Sequence, residues 1–294
     1  MKNNTAEAII ELPRAEYGSV PLAGAKLEYR SIGTGEPVLL LHGIPGDLET
    51  LAPAADELAR GYRATTLSMR HCGPPPHGTR PFGTQQQYDD LFEFIQTRGG
   101  APIHIVAWSY AAHAALALAA RAPQVVRSLL VYEPGFPTFV NDTEVAAQIA
   151  MDTRTAFASV FEALAVGDAA EAVRRSIDAA AGSEGWYDRQ PEKVRAVHRR
   201  CAHQLSLLAT QTPPIALHAT ELQSIRLPVT VAYGSASRPC YTLTSAQAFH
   251  LIPDARLVVL DGATHLLPET EQICFADLLN THLRQARLHT KNDG

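Results

Sequence analysis

The sequence predicts an α/β protein: a mostly parallel sheet flanked by helices and carrying a helical cap. Three observations lead there. Short, continuous apolar runs recur along the chain, the pattern of strands covered on both faces. Segments with apolar residues at helical spacing separate them. One long stretch between two such runs, residues 134–224, shows no strand pattern at all.

Taken in order, the chain opens as extended structure. Lys26, Glu28 and Arg30 alternate with Leu27 and Tyr29, the period of a half-buried strand, and Gly33 to Gly35 make a turn. Val38–Leu41 is a strand ending in His42 and Gly43. The remaining strands are Ala64–Leu67, Ile103–Val106, Ser128–Tyr132, Val229–Ala232 and Leu257–Leu260. Helices are expected over Leu51–Arg60, Gln85–Thr97, Tyr110–Arg121, Thr244–His250 and Thr270–Arg284. In Gln85–Thr97, residues Tyr88, Leu91, Phe92 and Ile95 share one face. Within residues 134–224 the reading is helix over Ala146–Ala165, Ala169–Ala181 and Glu192–Leu208, with Pro213 and Pro214 marking a bend. That is too long for a crossover connection, so it reads as a cap on the sheet. The predicted division is a core of residues 1–133 and 225–294 and a lid of residues 134–224. The polar end beyond Ala286 is expected to fray.

Composition narrows the function. An apolar fraction of 46% with 19% charged residues describes a chain able to bury a core, which excludes general disorder. The net charge of −5 and the absence of basic clusters exclude a nucleic-acid footprint. The four cysteines, Cys72, Cys201, Cys240 and Cys274, show neither a disulfide framework nor metal-ligand spacing. Residues 1–17 do not read as a signal peptide, and the longest apolar stretch, Ala111–Ala120, is too short to span a bilayer. The expectation is a cytoplasmic protein without metal or cofactor. Its partner would be a small-molecule substrate, not a nucleic acid or a membrane, with homo-oligomerisation left open.

Three positions carry chemistry. Ser109 stands between a strand and a helix, with Ala107 and Ala111 two residues to either side. A nucleophile on such a strained turn needs small flanking residues, and the helix N-terminus behind it favours negative charge. The competing role is an ordinary helix N-cap. His42 to Gly46 form a Gly-rich loop after an earlier strand. There the N–H of Ile44, together with the N–H of Tyr110, would form an oxyanion hole; an ordinary strand-to-helix turn is the alternative. His265 lies in a loop just after the last strand, where the order Ser, acid, His needs its base. Cys72 lacks an elbow, and His71, His77, His104 and His113 have no ligand spacing; His113 reads as a packing residue. Trp108 and Arg70 are candidates to line the substrate pocket, with packing as their alternative role.

On His42–Gly46, Ser68–Gly73, Ala107–Ala111 and Gly262–His265, the chain from Leu27 to Leu283 resembles the α/β-hydrolase superfamily. The resemblance implies the α/β-hydrolase fold and serine-hydrolase chemistry. It argues against the haloalkane dehalogenase and epoxide hydrolase relatives, whose elbows carry Asp. The family usually places its acid in a Gly-x-x-Asp pattern after the strand Val229–Ala232; this chain reads Gly234, Ser235, Ala236, Ser237. Asp261, Asp47 and Glu133 are the substitutes. Asp261 reads as closing its strand and Asp47 as a helix cap. Glu133 ends the strand after the nucleophile strand, where functional groups of open α/β sheets gather, and some members of the superfamily carry Glu-Pro there. Glu133 is therefore the expected acid, a cap hinge being its alternative role.

The function expected is hydrolysis of a carboxylic ester or lactone of an apolar small molecule through an acyl-enzyme. The competing expectations are a C–C bond hydrolase or an acyltransferase of secondary metabolism on the same fold, and a catalytically lapsed ligand-binding protein.

Overall fold

The computed structural model of the protein describes residues 13–72 and 81–292. Among them, eight strands build one sheet: β1 (Glu16–Leu22), β2 (Ala25–Ile32), β3 (Glu36–Leu41), β4 (Tyr62–Leu67), β5 (Ile103–Trp108), β6 (Val126–Tyr132), β7 (Val229–Gly234) and β8 (Arg256–Leu260). Their order across the sheet is β1-β2-β4-β3-β5-β6-β7-β8. The hairpin β1–β2 is antiparallel and joins β4 antiparallel; every pairing from β4 to β8 is parallel.

The helices are α1 (Ala52–Leu58), α2 (Thr84–Thr97), α3 (Tyr110–Arg121), α4 (Thr143–Ala165), α5 (Ala169–Ala181), α6 (Glu192–Arg200), α7 (His203–Ala209), α8 (Ala219–Leu222), α9 (Pro239–Leu251), α10 (Leu267–Thr270) and α11 (Gln272–Asn292). Because β3 is covered on both sides, its apolar run divides by parity. Leu39 and Leu41 pack into the cluster with α2 and α3, Val38 and Leu40 into the cluster with α1 and α11. Each fully buried Leu or Val contributes about 1.5–3 kcal/mol, which explains why so short a run makes a stable central strand.

The stretch between β6 and β7 is helical, as its pattern predicts. Asp142 and Asp168 cap α4 and α5 through their carboxylates, and Gly182 ends α5 at φ +69. One difference is the break of Glu192–Leu208 into α6 and α7 at Cys201–Ala202. No Gly or Pro stands there. Tertiary contacts override propensity: Arg200 makes a bidentate ion pair with Asp47 at 2.6 and 2.9 Å. Gln204 holds both the N–H and the C=O of Gly46, at 2.9 and 2.8 Å. Both ties pull this turn onto the loop after β3. Pro213 and Pro214 lie in the irregular segment that joins α7 to α8. At the end of the chain the helix runs through Asn292, so the expected fraying from Ala286 is not seen up to that residue. No helix of the described residues is long and apolar enough to cross a membrane.

Candidate active site

The carboxyl ends of the parallel strands converge on Ser109. It joins β5 to α3 with φ +57, the left-handed region, which is strained for a residue with a side chain. Its N–H donates to the Tyr132 carbonyl at 3.0 Å, and its carbonyl accepts from Gly135 N–H at 3.2 Å. No side-chain capping bond is made by Ser109 itself, so the hydroxyl is left for other work. Ala107 and Ala111 are wholly buried on either side. Gly43 matters for the same approach, since a Cβ there would come within 3.1 Å of the Ser109 Cβ.

His265 follows β8 and reaches back to this turn. Its Nε2 lies 2.9 Å from Ser109 Oγ, and its Nδ1 lies 2.6 Å from Glu133 Oε2. A carboxylate accepts only, so Nδ1 carries the proton toward Glu133 and Nε2 is the acceptor for the serine hydroxyl. Glu133 is wholly buried at φ +49. Its second oxygen accepts from Gly234 N–H at 2.8 Å and from the Ser237 hydroxyl at 2.6 Å. The residue that replaces the expected late Asp therefore serves the carboxylate found one strand earlier. Asp261, by contrast, is exposed and accepts from Ser235 at 3.2 Å. Asp47 accepts from Glu49 N–H at 2.9 Å and pairs with Arg200, away from the imidazole.

Two aromatic side chains hold the imidazole. The Tyr241 ring lies parallel to His265, 3.7 Å between centroids and tilted by 4°. Trp108 stands on another side at 5.6 Å. Burial raises the Tyr241 phenol well above its ordinary range, so it remains protonated and uncharged. Nothing in the sequence marks Tyr241 for this contact; it is an early residue of α9 brought in by the fold.

Ser109 and His265 open into a cavity of about 300 Å³, near the lower end for small-molecule sites. Its walls are largely apolar: Phe136 from the segment after β6, Ile149, Phe157 and Phe161 from α4, Ile177 from α5, and Leu205 from α7. Ile44 and Tyr110 both line it. As first residue of α3, Tyr110 has an N–H without an intrahelical acceptor.

Trp108 lines the cavity as expected, but Arg70 does not. Arg70 is buried and bidentate to Asp90 at 2.7 and 2.6 Å, and it also donates to the carbonyls of Ala23 and Gly24. It ties α2 to the β1–β2 hairpin, a structural role. His113 packs in α3 and holds the Ile215 carbonyl at 2.9 Å. His42 is buried within its loop, its Nδ1 2.7 Å from the Gly43 carbonyl. Cys72 is buried and desolvation pushes its thiol well up, which leaves it unreactive. Gly73 and His77 lie outside the described residues. Among the described residues, no cluster of three or more His, Cys, Asp or Glu could hold a metal ion.

Comparison with known proteins agrees with this architecture. The chain is 30% identical over 171 residues to a dihydrolipoyllysine-residue acetyltransferase component of the acetoin cleaving system from Cupriavidus necator, a match covering 56% of this chain and 44% of that protein. It spans less than half the length of the curated relatives it matches. A haloalkane dehalogenase loop variant from Bradyrhizobium elkanii superposes with a TM-score of 0.72 at 19% identity, covering 96% of this chain and 100% of that one. A carboxylesterase from Bacillus subtilis gives 0.71 at 17%, with 92% of each chain covered. Residues 38–272 match the sequence profile of the alpha/beta hydrolase family, and with the parallel sheet and the serine turn at its centre, the chain belongs to that family.

Proposed function

We propose that the protein is a serine hydrolase that cleaves a carboxylic ester or lactone of a small, largely apolar molecule through an acyl-enzyme. The observation that carries this reading is the unbroken line of hydrogen bonds from Ser109 Oγ through both nitrogens of His265 to Glu133. Ser109 Oγ attacks the carbonyl carbon while Nε2 of His265 takes its proton. Glu133 fixes the tautomer that leaves Nε2 free and stabilises the imidazolium that forms. The N–H groups of Ile44 and Tyr110 hold the oxyanion. Collapse expels the alcohol, which leaves with the proton from Nε2. Water, deprotonated by the same nitrogen, then attacks the acyl carbonyl and returns Ser109 to its resting state. No step needs a cofactor.

Residues 134–224 act in this reading as a lid whose helices supply the apolar walls of the cavity. That wall chemistry favours an alkyl, acyl or aromatic group over a charged one. The named activity of the Cupriavidus relative motivates a second reading, transfer of the acyl group to an acceptor other than water.

The test is labelling with a fluorophosphonate, followed by a screen of p-nitrophenyl esters and lactones of graded chain length. Covalent modification at Ser109 and turnover of medium apolar esters are expected. An intact protein that fails to react at Ser109 is not a serine hydrolase. Added alcohol or thiol that diverts the acyl product from acid to ester would replace hydrolysis with transfer.

A further inference from the structure

The cavity at Ser109 holds a second pair of ionisable side chains that the proposed reaction does not use. His198 on α6 and Glu269 on α10 both line it. His198 Nε2 lies 3.0 Å from Glu269 Oε2, and the two side chains are 1% and 4% exposed. The pair joins the inserted helices to the segment that carries His265. Among the described residues lining the cavity, Glu269 is the one carboxylate. Two other polar side chains of the wall are already engaged: the Tyr110 hydroxyl donates to Gln211 at 2.7 Å, and the Thr153 hydroxyl to the Ile149 carbonyl at 2.8 Å.

Each member of the pair keeps one buried polar atom without a partner, Nδ1 of His198 and Oε1 of Glu269. Buried polar atoms are nearly always paired, because leaving one unmet forfeits its hydration. The chemistry follows from the Nε2–Oε2 bond that the two side chains already share. A carboxylate accepts only, so the proton between them belongs to His198 Nε2. With that proton on Nε2, Oε1 of the carboxylate is an acceptor that meets no donor. A largely apolar cavity is thus lined by a residue with a buried carboxylate oxygen that lacks a donor.

We propose that His198 and Glu269 form a recognition site for a hydrogen-bond donor on the substrate, a hydroxyl or an ammonium group separate from the scissile ester. The inference rests on the ester-hydrolase reading for the substrate class, and it narrows that class to hydroxy or amino esters of otherwise apolar molecules. A methyl or ketone in the donor's place leaves Oε1 of Glu269 unmet, and a site built this way rejects such analogues.

The test is equilibrium binding to the full-length Ser109→Ala protein, which cannot turn the ligand over. Calorimetry compares methyl esters of one chain length ending in methyl, ketone, hydroxyl or ammonium, repeated over a graded series of lengths. At the matching length the hydroxyl or ammonium ester should bind at least about tenfold more tightly than the methyl-ended and ketone-ended ones. Whether hydroxyl or ammonium binds best identifies the donor. His198→Phe and, separately, Glu269→Gln should reduce that preference toward unity, with thermal unfolding confirming a folded protein in each case. Equal binding of all four ends at every length overturns the proposal. So does a ketone that matches the hydroxyl, or a preference that survives in whichever variant folds. Fluorophosphonate labelling of the native protein scores the reaction separately: donor selectivity without labelling at Ser109 removes the hydrolase reading and leaves the recognition site standing.

Discussion

The hydroxyl of Ser237 donates a 2.6 Å hydrogen bond to Oε1 of Glu133, whose other oxygen faces His265 Nδ1 at the same distance. Residue 237, where the family pattern predicts an acid, is thus adjacent in space to the proposed acid Glu133 and holds a donor to it. Glu133→Gln removes the charge and allows the amide to donate to Nδ1, favouring the wrong tautomer. A loss of order 10⁴ in kcat is expected. Ser237→Ala removes one of two donors to Oε1 and should cost about tenfold or less. Ser237→Asp alone sets a second carboxylate against Glu133 and should slow the enzyme, whereas combined with Glu133→Gln it should restore part of the rate. Turnover numbers of these variants side by side decide it; an inert double variant alongside a nearly normal Glu133→Gln would require another acid.

Ser109→Ala deletes the proposed nucleophile but keeps the Cβ that the strained turn already accommodates. The hydroxyl bonds His265 at the cavity wall, where water can take its place, so stability should move little. The loss in kcat should be of order 10⁴–10⁶, since only binding and the oxyanion hole remain. Retained turnover on a verified ester would dismiss Ser109 as nucleophile.

Gly234 donates its N–H to Glu133, and a Cβ at this position would lie 2.1 Å from the carbonyl oxygen of Ala263. That oxygen is backbone, just ahead of His265, and cannot swing aside. Gly234→Ala should therefore cost about 1–3 kcal/mol in urea unfolding and also lower kcat, because both supports of the imidazole shift. An unchanged unfolding midpoint would mean the turn is more pliant than its packing indicates.

Much of the site is legible in the sequence because it hangs on local signals. A strand followed by a Ser between small residues, and a His shortly after the last strand, are set by spacing alone. The part that is not legible depends on pairs far apart in the chain. Ser237 meets Glu133, Tyr241 stacks on His265, and α6 breaks from α7 because Asp47 and Gly46 hold Arg200 and Gln204. Arg70 illustrates the same limit. An Arg in a loop after a strand reads as a pocket group until its partner, Asp90 on α2, is known. Arg70→Met leaves Asp90 as a buried, unpaired charge and should destabilise by roughly 3–5 kcal/mol. KM for any ester should stay the same, since Arg70 does not line the cavity. A raised KM with normal stability would return Arg70 to the pocket.

Stability should also fall in mild acid, through a buried chain of polar groups remote from Ser109. His104 Nδ1 lies 2.7 Å from the Ser128 hydroxyl, which is 2.9 Å from His282 Nε2; His282 Nδ1 lies 2.8 Å from the Thr230 hydroxyl. Burial holds the imidazole of His282 down to about 3 and that of His104 to about 4. Glu36, 3.8 Å from His104 Nε2, opposes this, while Arg127 and Arg287, which pair with Glu36, reinforce it. An unfolded imidazole titrates near 6.5, so below about that pH the unfolded chain binds protons that the folded chain refuses. The stabilisation is fully present above about pH 7 and declines as pH falls toward 4, by up to about 1.4 kcal/mol per pH unit for each ring. Thermal midpoints between about pH 7 and pH 5 should drop, and the drop should be smaller in His282→Gln, where one of the two rings is gone. Carboxylates that titrate lower contribute alike to both proteins, so the difference between the two curves isolates the ring. Parallel curves for the two proteins would show that the His282 imidazole is not held down in the folded state.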